Sequence, residues 1–449
     1  MSRQEKIRRR VSPWVTRVLT SPRLRDMRRT LAEKRRRLRG APRKISYFHQ
    51  ADDPYSHLAV QTLATLLKRY EIELDVFLVG PHPDDAAPQP ELLEAFARKD
   101  AGDIAQPYGL EFPHIDHQPD LGLVATANRI LTAAIQNGTF VEIAPQVGRA
   151  LFTEDSPAMD ALAARTEPAT QAAAETAIRQ GSERRKKLGH YSGAMFYDEP
   201  EWYWGVDRLH HLETRLDNDG ARRSGEPGTP IVVRPTAITE PDTPANQPRL
   251  TVEFFASLRS PYTYIVMERI LDLAKRFPID VVQRPVLPMV MRGLAVPLTK
   301  QLYIQFDTKR EAELAGVDFG HVCDPVGEPV ERGFSLFNWA RNEGRAPEFL
   351  LEFTRAAFAD GIDTGSEKGL RQVVERAGLD WNEAQVDLDG WREELEQNRL
   401  ALFDLGLWGV PSFHIIGDER DPDFCTWGQD RVWLVEQEIA RRVARDSGP

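Results

Sequence analysis

A serine, a proline and a glutamine–aspartate pair are the residues of this 449-residue chain whose types and spacing could do chemistry. Ser260 stands directly before Pro261 and before Ile265, Met267, Ile270, Leu271, Ala274 and Phe277, which recur at helical spacing. Ser and Pro in that order are the preferred N-cap and first helical residue. The Ser260 hydroxyl is therefore expected at the positive end of a helix dipole, where negative charge is favoured. Downstream come Gly409-Val410-Pro411 and Trp427-Gly428-Gln429-Asp430-Arg431, the second opening a final apolar-periodic helix. Taken singly, each is an ordinary cap or loop. The two cysteines, Cys323 and Cys425, are too few and too far apart for a disulfide framework, a Cys-x-x-Cys redox pair or a multi-cysteine zinc site. His114-Ile115-Asp116-His117 holds metal-ligand residue types, but a single short cluster without further ligands reads as a polar loop, so no metal is expected.

The elements that must position these residues follow from periodicity. Leu250 to Ala256 is a short apolar, aromatic run with the look of a buried strand. The helix after Ser260 closes at Pro278, and Ile279 to Val282 reads as the next strand, making a βαβ unit with a right-handed crossover. A long stretch from 297 to 403, rich in helix formers, reads as a helical insertion. A strand at Ser412 to Ile416 and a helix near Gln429 complete an α/β domain.

That domain is expected twice. At a constant offset of 207, Phe48 meets Phe255, Pro54 meets Pro261, Tyr55 meets Tyr262, and Lys68-Arg69 meets Lys275-Arg276. Near the far end of each half, Trp204-Gly205-Val206-Asp207-Arg208 matches Trp427 to Arg431. A period of this size means duplicated domains rather than a solenoid. Residues 218–248 carry six prolines and no helical or alternating period, the pattern of a semi-extended linker. The expected organisation is a basic arm at 1–44, a degenerate domain at 45–217, the linker at 218–248 and a catalytic domain at 249–445.

The ordered set Phe254-Phe255-x4-Ser260-Pro261-Tyr262-x-Tyr264, Gly409-Val410-Pro411-Ser412-Phe413 and Trp427 to Arg431 resembles the DsbA-like thioredoxin superfamily. The branch it looks like is that of 2-hydroxychromene-2-carboxylate isomerase and the kappa-class glutathione transferases. Lys300-x2-Tyr303-x3-Asp307-x2-Arg310 in the insertion is similar to that branch too, and equally reads as one polar face of a helix. The resemblance implies two tandem thioredoxin-like domains, each with a helical insertion, and glutathione as cofactor. It puts Ser260 where thiol oxidoreductases keep a reactive cysteine, and Pro411 as a cis-proline that exposes the Val410 backbone to the cysteinyl part of glutathione. It gives the γ-glutamyl end to Gln429 and Asp430. A hydroxyl and a helix N-terminus would lower the pKa of a bound thiol, and the thiolate is the useful nucleophile.

Tyr262, Tyr264, Lys300 and Trp408 are candidates to line a substrate pocket, with core packing as the competing reading for the aromatic residues. The implied activity is isomerisation or transfer on an aromatic or otherwise electrophilic small molecule whose identity stays open. Dithiol–disulfide exchange is the alternative within the superfamily, and it meets Ser260 and Thr263 where two cysteines would be needed. A non-catalytic binding or scaffold protein is the alternative outside it. In the first half Asp53 takes the place of Ser260, Tyr191 that of the proline and Val206 that of Gln429. A carboxylate there would repel a thiolate, so the first half is expected to be structural, as part of an intramolecular pseudo-dimer or a homodimer.

Charge is divided unevenly. Residues 1–44 hold 17 Lys and Arg against 3 acids, while the rest of the chain holds 41 against 65. The arm lacks the apolar core of a secretory signal, so a cytoplasmic protein is expected. Trp14, Val15, Val18 and Leu19 could form an apolar face on a basic helix suited to an anionic membrane surface. The competing reading is a partly helical tail lying against the protein's own acidic body. The body shows no helix-turn-helix, zinc-finger or aromatic RNA-binding signature, which argues against nucleic acid.

Overall fold

The structure is a computed structural model that describes residues 3–83, 85–235, 249–294 and 296–446. The chain begins with two basic helices, α1 (Arg3–Leu19) and α2 (Pro22–Leu38). The first half follows as β1 (Lys44–His49), α3 (Pro54–Arg69), β2 (Glu73–Leu78), α4 (Pro90–Ala105), α5 (Leu121–Gln136), α6 (Phe140–Phe152), α7 (Ser156–Thr166), α8 (Gln171–Leu188), β3 (Met195–Asp198), β4 (Glu201–Trp204) and α9 (Leu209–Asn218). The second half is β5 (Leu250–Ala256), α10 (Pro261–Arg276), β6 (Ile279–Pro285), α11 (Leu298–Ala315), α12 (Glu328–Asn342), α13 (Ala346–Arg355), α14 (Glu367–Arg376), α15 (Gly390–Asp404), β7 (Ser412–Ile415), β8 (Phe424–Trp427) and α16 (Val432–Asp446).

Each half builds one four-stranded sheet, with order β2-β1-β3-β4 in the first and β6-β5-β7-β8 in the second. In both, the first pair is parallel across a helical crossover and the remaining pairs are antiparallel. The mixed α/β class and the repeat thus meet in one topology, and the parallel pair keeps the 207-residue offset, with Phe48 opposite Phe77 and Phe255 opposite Arg284, while the strand after the insertion is shifted by ten further residues. Phe48 pairs with Met195 in the first sheet, and Phe255 pairs with Ser412 in the second.

The second sheet is buried because β5 alternates Val252 and Phe254 into a core with Phe413 and Ile415 of β7, Val266 and Ile270 of α10, and Val435 and Ile439 of α16. The Phe254 and Phe413 rings stack 5.4 Å apart. This core holds β5 and the start of α10 in place, which fixes where Ser260 stands.

The chain divides into two compact units that cut the expected boundaries differently. One unit comprises 1–25, 236–296 and 304–449; the other comprises 26–235 and 297–303. The expected linker is likewise divided. Its first part packs on the first half, where Tyr70 bridges Arg222 and the Ile231 N–H donates to Glu213 at 2.9 Å. Residues 236–248 lie outside the described residues. The arm is helical and docked rather than separate. In the unit of the second half, Arg9 is buried and bonds Asp363 at 3.1 Å, and the Val322 N–H donates to Thr16 Oγ1 at 2.9 Å. In the unit of the first half, the Arg29 fork takes both oxygens of Glu201 at 2.8 and 2.7 Å. Composition shows the arm's charge but not these single partners.

Candidate functional site

Ser260 caps α10. Its φ and ψ are −94° and 113°, and its Oγ accepts from the Thr263 N–H at 3.1 Å. The same hydroxyl donates to the Val410 carbonyl at 3.4 Å, across 150 residues of chain. The Val410–Pro411 peptide is cis. The Val410 N–H has no hydrogen-bond partner among the described residues. An unpaired backbone donor beside a helix N-terminus is open to an added peptide strand.

The third motif is tied on through β7. The Gly428 N–H donates to the Pro411 carbonyl at 3.0 Å, so the Gln429–Asp430 turn follows directly from the proline loop. Gly409 has no room for a side chain, because a Cβ there would lie 2.2 Å from the Trp427 ring. Ser260, Val410, Pro411 and the turn that carries Gln429 and Asp430 are thereby brought together by hydrogen bonds from three separate stretches of sequence.

Gln429 is fastened through its side chain. Its carboxamide is held at both ends, accepting from Arg269 of α10 at 2.6 Å and donating to Glu311 of α11 at 2.6 Å. The side chain locks the turn to both helices instead of standing open. Asp430 is buried beside Arg431, whose guanidinium lies 3.8 Å from its carboxylate.

The pocket candidates are also largely committed. The Tyr262 hydroxyl donates to Asp307 at 2.7 Å, and Arg310 bonds the other oxygen of that carboxylate at 3.2 Å. Tyr264 is buried, donates to the Asp318 carbonyl at 2.8 Å, and has its hydroxyl pKa pushed up to about 12 by burial. Trp408 is buried edge-on against Trp427, with ring centres 5.3 Å apart. Lys300 falls in the compact unit of the first half, not with Ser260. There its Nζ donates to the Ala86 carbonyl at 2.7 Å and lies 5.9 Å from the Tyr191 ring, and burial lowers its pKa to about 8. The four-residue pattern of the insertion is thus split: Lys300 serves one unit, Asp307 and Arg310 the other.

The two cysteines take no part in this arrangement. Cys323 is buried against the Arg9 carbonyl, and burial drives its thiol pKa up to about 12. Cys425 sits on β8 and donates to the Leu405 carbonyl at 3.5 Å. His117 is exposed, bonding Asp116 at 2.8 Å and Glu154 at 3.2 Å, which is the behaviour of a polar loop.

The first half repeats the helix cap with a carboxylate in place of the hydroxyl. Asp53 caps α3, accepting from Tyr55 N–H at 3.3 Å, Ser56 N–H at 3.0 Å and Ser56 Oγ at 2.7 Å. Burial still outweighs these bonds and raises its pKa to about 6. The register corrects the assignment of the proline's counterpart. Since Met195 pairs with Phe48 as Ser412 pairs with Phe255, the residue before the strand is Ala194, not Tyr191. Its carbonyl accepts from Gly205 N–H at 2.8 Å, just as Pro411 accepts from Gly428. Ala194 has a φ of 53°, and its N–H donates to Ser56 Oγ at 2.9 Å. Tyr191 instead stacks on His190 at 4.7 Å. A simple alignment of short motifs misplaced this residue because the loop before β3 differs from that before β7.

Sequence reasoning missed one paired feature. In the first half the Tyr55 hydroxyl donates to Asp100 at 2.8 Å, as Tyr262 donates to Asp307 in the second. Both pairs are 45 residues apart, so the 207-residue offset extends into the insertions. That equal spacing was the signal available.

Residues 251–440 match the DSBA-like thioredoxin domain family. The second half therefore carries a DsbA-like thioredoxin domain, which runs from β5 into α16. A 2-hydroxychromene-2-carboxylate isomerase of Sphingobium xenophagum is 22% identical over 197 residues, spanning 41% of this chain and 96% of the relative. A solved 2-hydroxychromene-2-carboxylate isomerase is 21% identical, with a TM-score of 0.34, covering 44% of this chain and 97% of its own. The cytosolic disulfide reductase DsbM of Pseudomonas aeruginosa, in a structure with GSH, is 18% identical, with a TM-score of 0.34, covering 43% of this chain and all of its own.

Proposed function

We propose that the second half is a glutathione-dependent isomerase or transferase acting on an aromatic or otherwise electrophilic small molecule in a reducing, cytoplasmic setting. The observation that carries this reading is the hydroxyl of Ser260 at the N-cap of α10, 3.4 Å from the carbonyl of Val410. The place of a reactive thiol holds an oxygen, and the residue three positions on, Thr263, is buried and bonded to the Ser257 N–H. Such a site has no disulfide of its own to exchange.

The fit to glutathione rests on two features of this chain. The unpaired Val410 N–H is suited to the cysteinyl backbone, and the α10 N-terminus is suited to a thiolate. When bound, glutathione supplies the thiol nucleophile that the chain lacks here. Ser260 Oγ, turned from the weak 3.4 Å bond to Val410, would donate to the sulfur and hold the thiolate form. With the Gln429 side chain locked, the γ-glutamyl end is left to the N–H groups of the turn and to Asp430.

Calorimetry with reduced glutathione, read beside the ultraviolet absorbance of the bound thiolate, tests this reading. Ser260→Ala is expected to leave binding within a few-fold and to raise the pKa of the bound thiol by about 1 unit, the loss of one charge-assisted hydrogen bond. Absence of binding to the unaltered protein would overturn the proposal. Reduction of insulin by the protein with dithiothreitol would show dithiol chemistry instead.

A further inference from the structure

Helix α1 is amphipathic in the reverse of the usual sense. Its polar and small side chains face the body: Arg9 bonds Asp363 and the Val326 carbonyl, Thr16 bonds the 322 backbone, and Pro13 lies against Gly361. Val11, Trp14, Val15 and Val18 follow the i, i+3, i+4, i+7 pattern of one helical face, and that face is exposed. Trp14 and Val18 are 61% and 60% exposed. Arg8, Arg10 and Arg17 are exposed as well and flank the stripe on both sides. An open groove of about 390 Å³ borders the Trp14 ring, walled by Arg10, His321 and Ser366. A helix docked through its polar face leaves its apolar face for something other than the protein's own core.

We propose that this face of α1 seats the protein on an anionic lipid bilayer. Val11, Trp14, Val15 and Val18 would enter the boundary between headgroups and acyl chains, and Arg8, Arg10 and Arg17 would meet lipid phosphates. The charge pattern selects this occupant. A second copy of the chain in a two-fold contact would bring like arginine borders face to face. A nucleic acid would leave the apolar stripe between the arginines without a partner. An anionic bilayer satisfies both parts, because its charged surface overlies an apolar interior. Helix α2 has the same character, with exposed Met27, Leu31 and Leu38 among exposed Arg28, Arg35 and Arg37.

The full chain should co-sediment with vesicles containing roughly a quarter phosphatidylserine and fail to do so with phosphatidylcholine alone, and added salt should weaken the binding. The double substitution Val15→Asp, Val18→Asp should lower partitioning at least about tenfold. Replacing Arg8, Arg10 and Arg17 by alanine should weaken binding and flatten its salt dependence. Trp14→Phe should remove a blue-shifted component from the fluorescence of the vesicle-bound protein. All of these positions are exposed, and circular dichroism with unchanged Cys323 alkylation would show that α1 remains docked. Equal binding to neutral vesicles, undiminished binding of the aspartate variant, or no binding to either vesicle would overturn the proposal. A dimer in sedimentation velocity that the aspartate substitutions dissolve, without vesicle binding, would assign the face to a second copy and overturn it too.

Discussion

Ser260 and Asp53 occupy the same place in two copies of one fold, and their chemistry diverges through a single side chain. Both cap a helix with φ near −94°. The hydroxyl can donate a hydrogen bond to a neighbouring sulfur, whereas the carboxylate only accepts and repels a thiolate. Asp53 carries a further consequence. Its folded pKa, raised to about 6, lies above the ordinary carboxylate value, so the folded state holds the proton more tightly than the unfolded chain. Its contribution is full below pH 4 and is lost as pH rises through 6. Urea unfolding followed across that interval is expected to show a loss of about 1–2 kcal/mol, absent in Asp53→Asn, which keeps the cap. A pH profile unchanged by the substitution would contradict the assignment. At the other site, Ser260→Ala should cost about 1 kcal/mol of stability through the lost cap, measured by the same unfolding experiment.

At the scale of elements, the loop before β7 and the first turn of α10 depend on two packing devices. Gly409 lets the Trp427 ring lie against the backbone beside Pro411, with Trp408 packed edge-on to the same ring. Gly409→Ala must displace an aromatic pair, and a loss of about 1–3 kcal/mol is expected in urea unfolding, together with loss of the proposed glutathione binding in calorimetry. The Tyr262–Asp307–Arg310 network joins α10 to α11 and is fully inside the protein at Asp307. Tyr262→Phe leaves that carboxylate with one fewer donor and should cost about 1–3 kcal/mol in urea unfolding. The element pattern itself was readable. The strand at 250–256, its helix and the strand at 412 follow from apolar period and from Ser, Pro and Gly punctuation. The Tyr262–Asp307 link was not, since nothing local marks which of many polar residues in an insertion turns inward.

At the scale of the whole molecule, the basic arm bears on stability as well as on surface charge. Arg9 neutralises Asp363, and its own carbonyl accepts from Cys323 Sγ at 3.6 Å. Arg9→Ala should loosen α1 and expose Cys323, and alkylation by iodoacetamide, slow in the unaltered protein, should accelerate at least about tenfold. Unchanged alkylation would show that the rest of α1 suffices to cover the thiol. The charge asymmetry of 17 bases against 3 acids in residues 1–44 was visible at once, yet it could not say which arginines turn inward. Arg9 and Arg10 are neighbours in sequence; one is buried and the other exposed.

The sequence by itself determined what local chemistry determines. Apolar period and capping residues specified the α/β elements, the constant offset specified the duplication, and Ser260 and Thr263 specified that no disulfide joins those two positions. Only the tertiary structure decided what depends on register and burial. Strand pairing made Ala194 the counterpart of Pro411, because a partner across a sheet is chosen by the backbone ladder and not by resemblance along the chain. The two ends of the Gln429 carboxamide were claimed by Arg269 and Glu311, and Lys300 was assigned to the first half. A polar side chain takes whichever partners the fold brings within about 3 Å. Those partners lie far away in sequence, where no local pattern can name them.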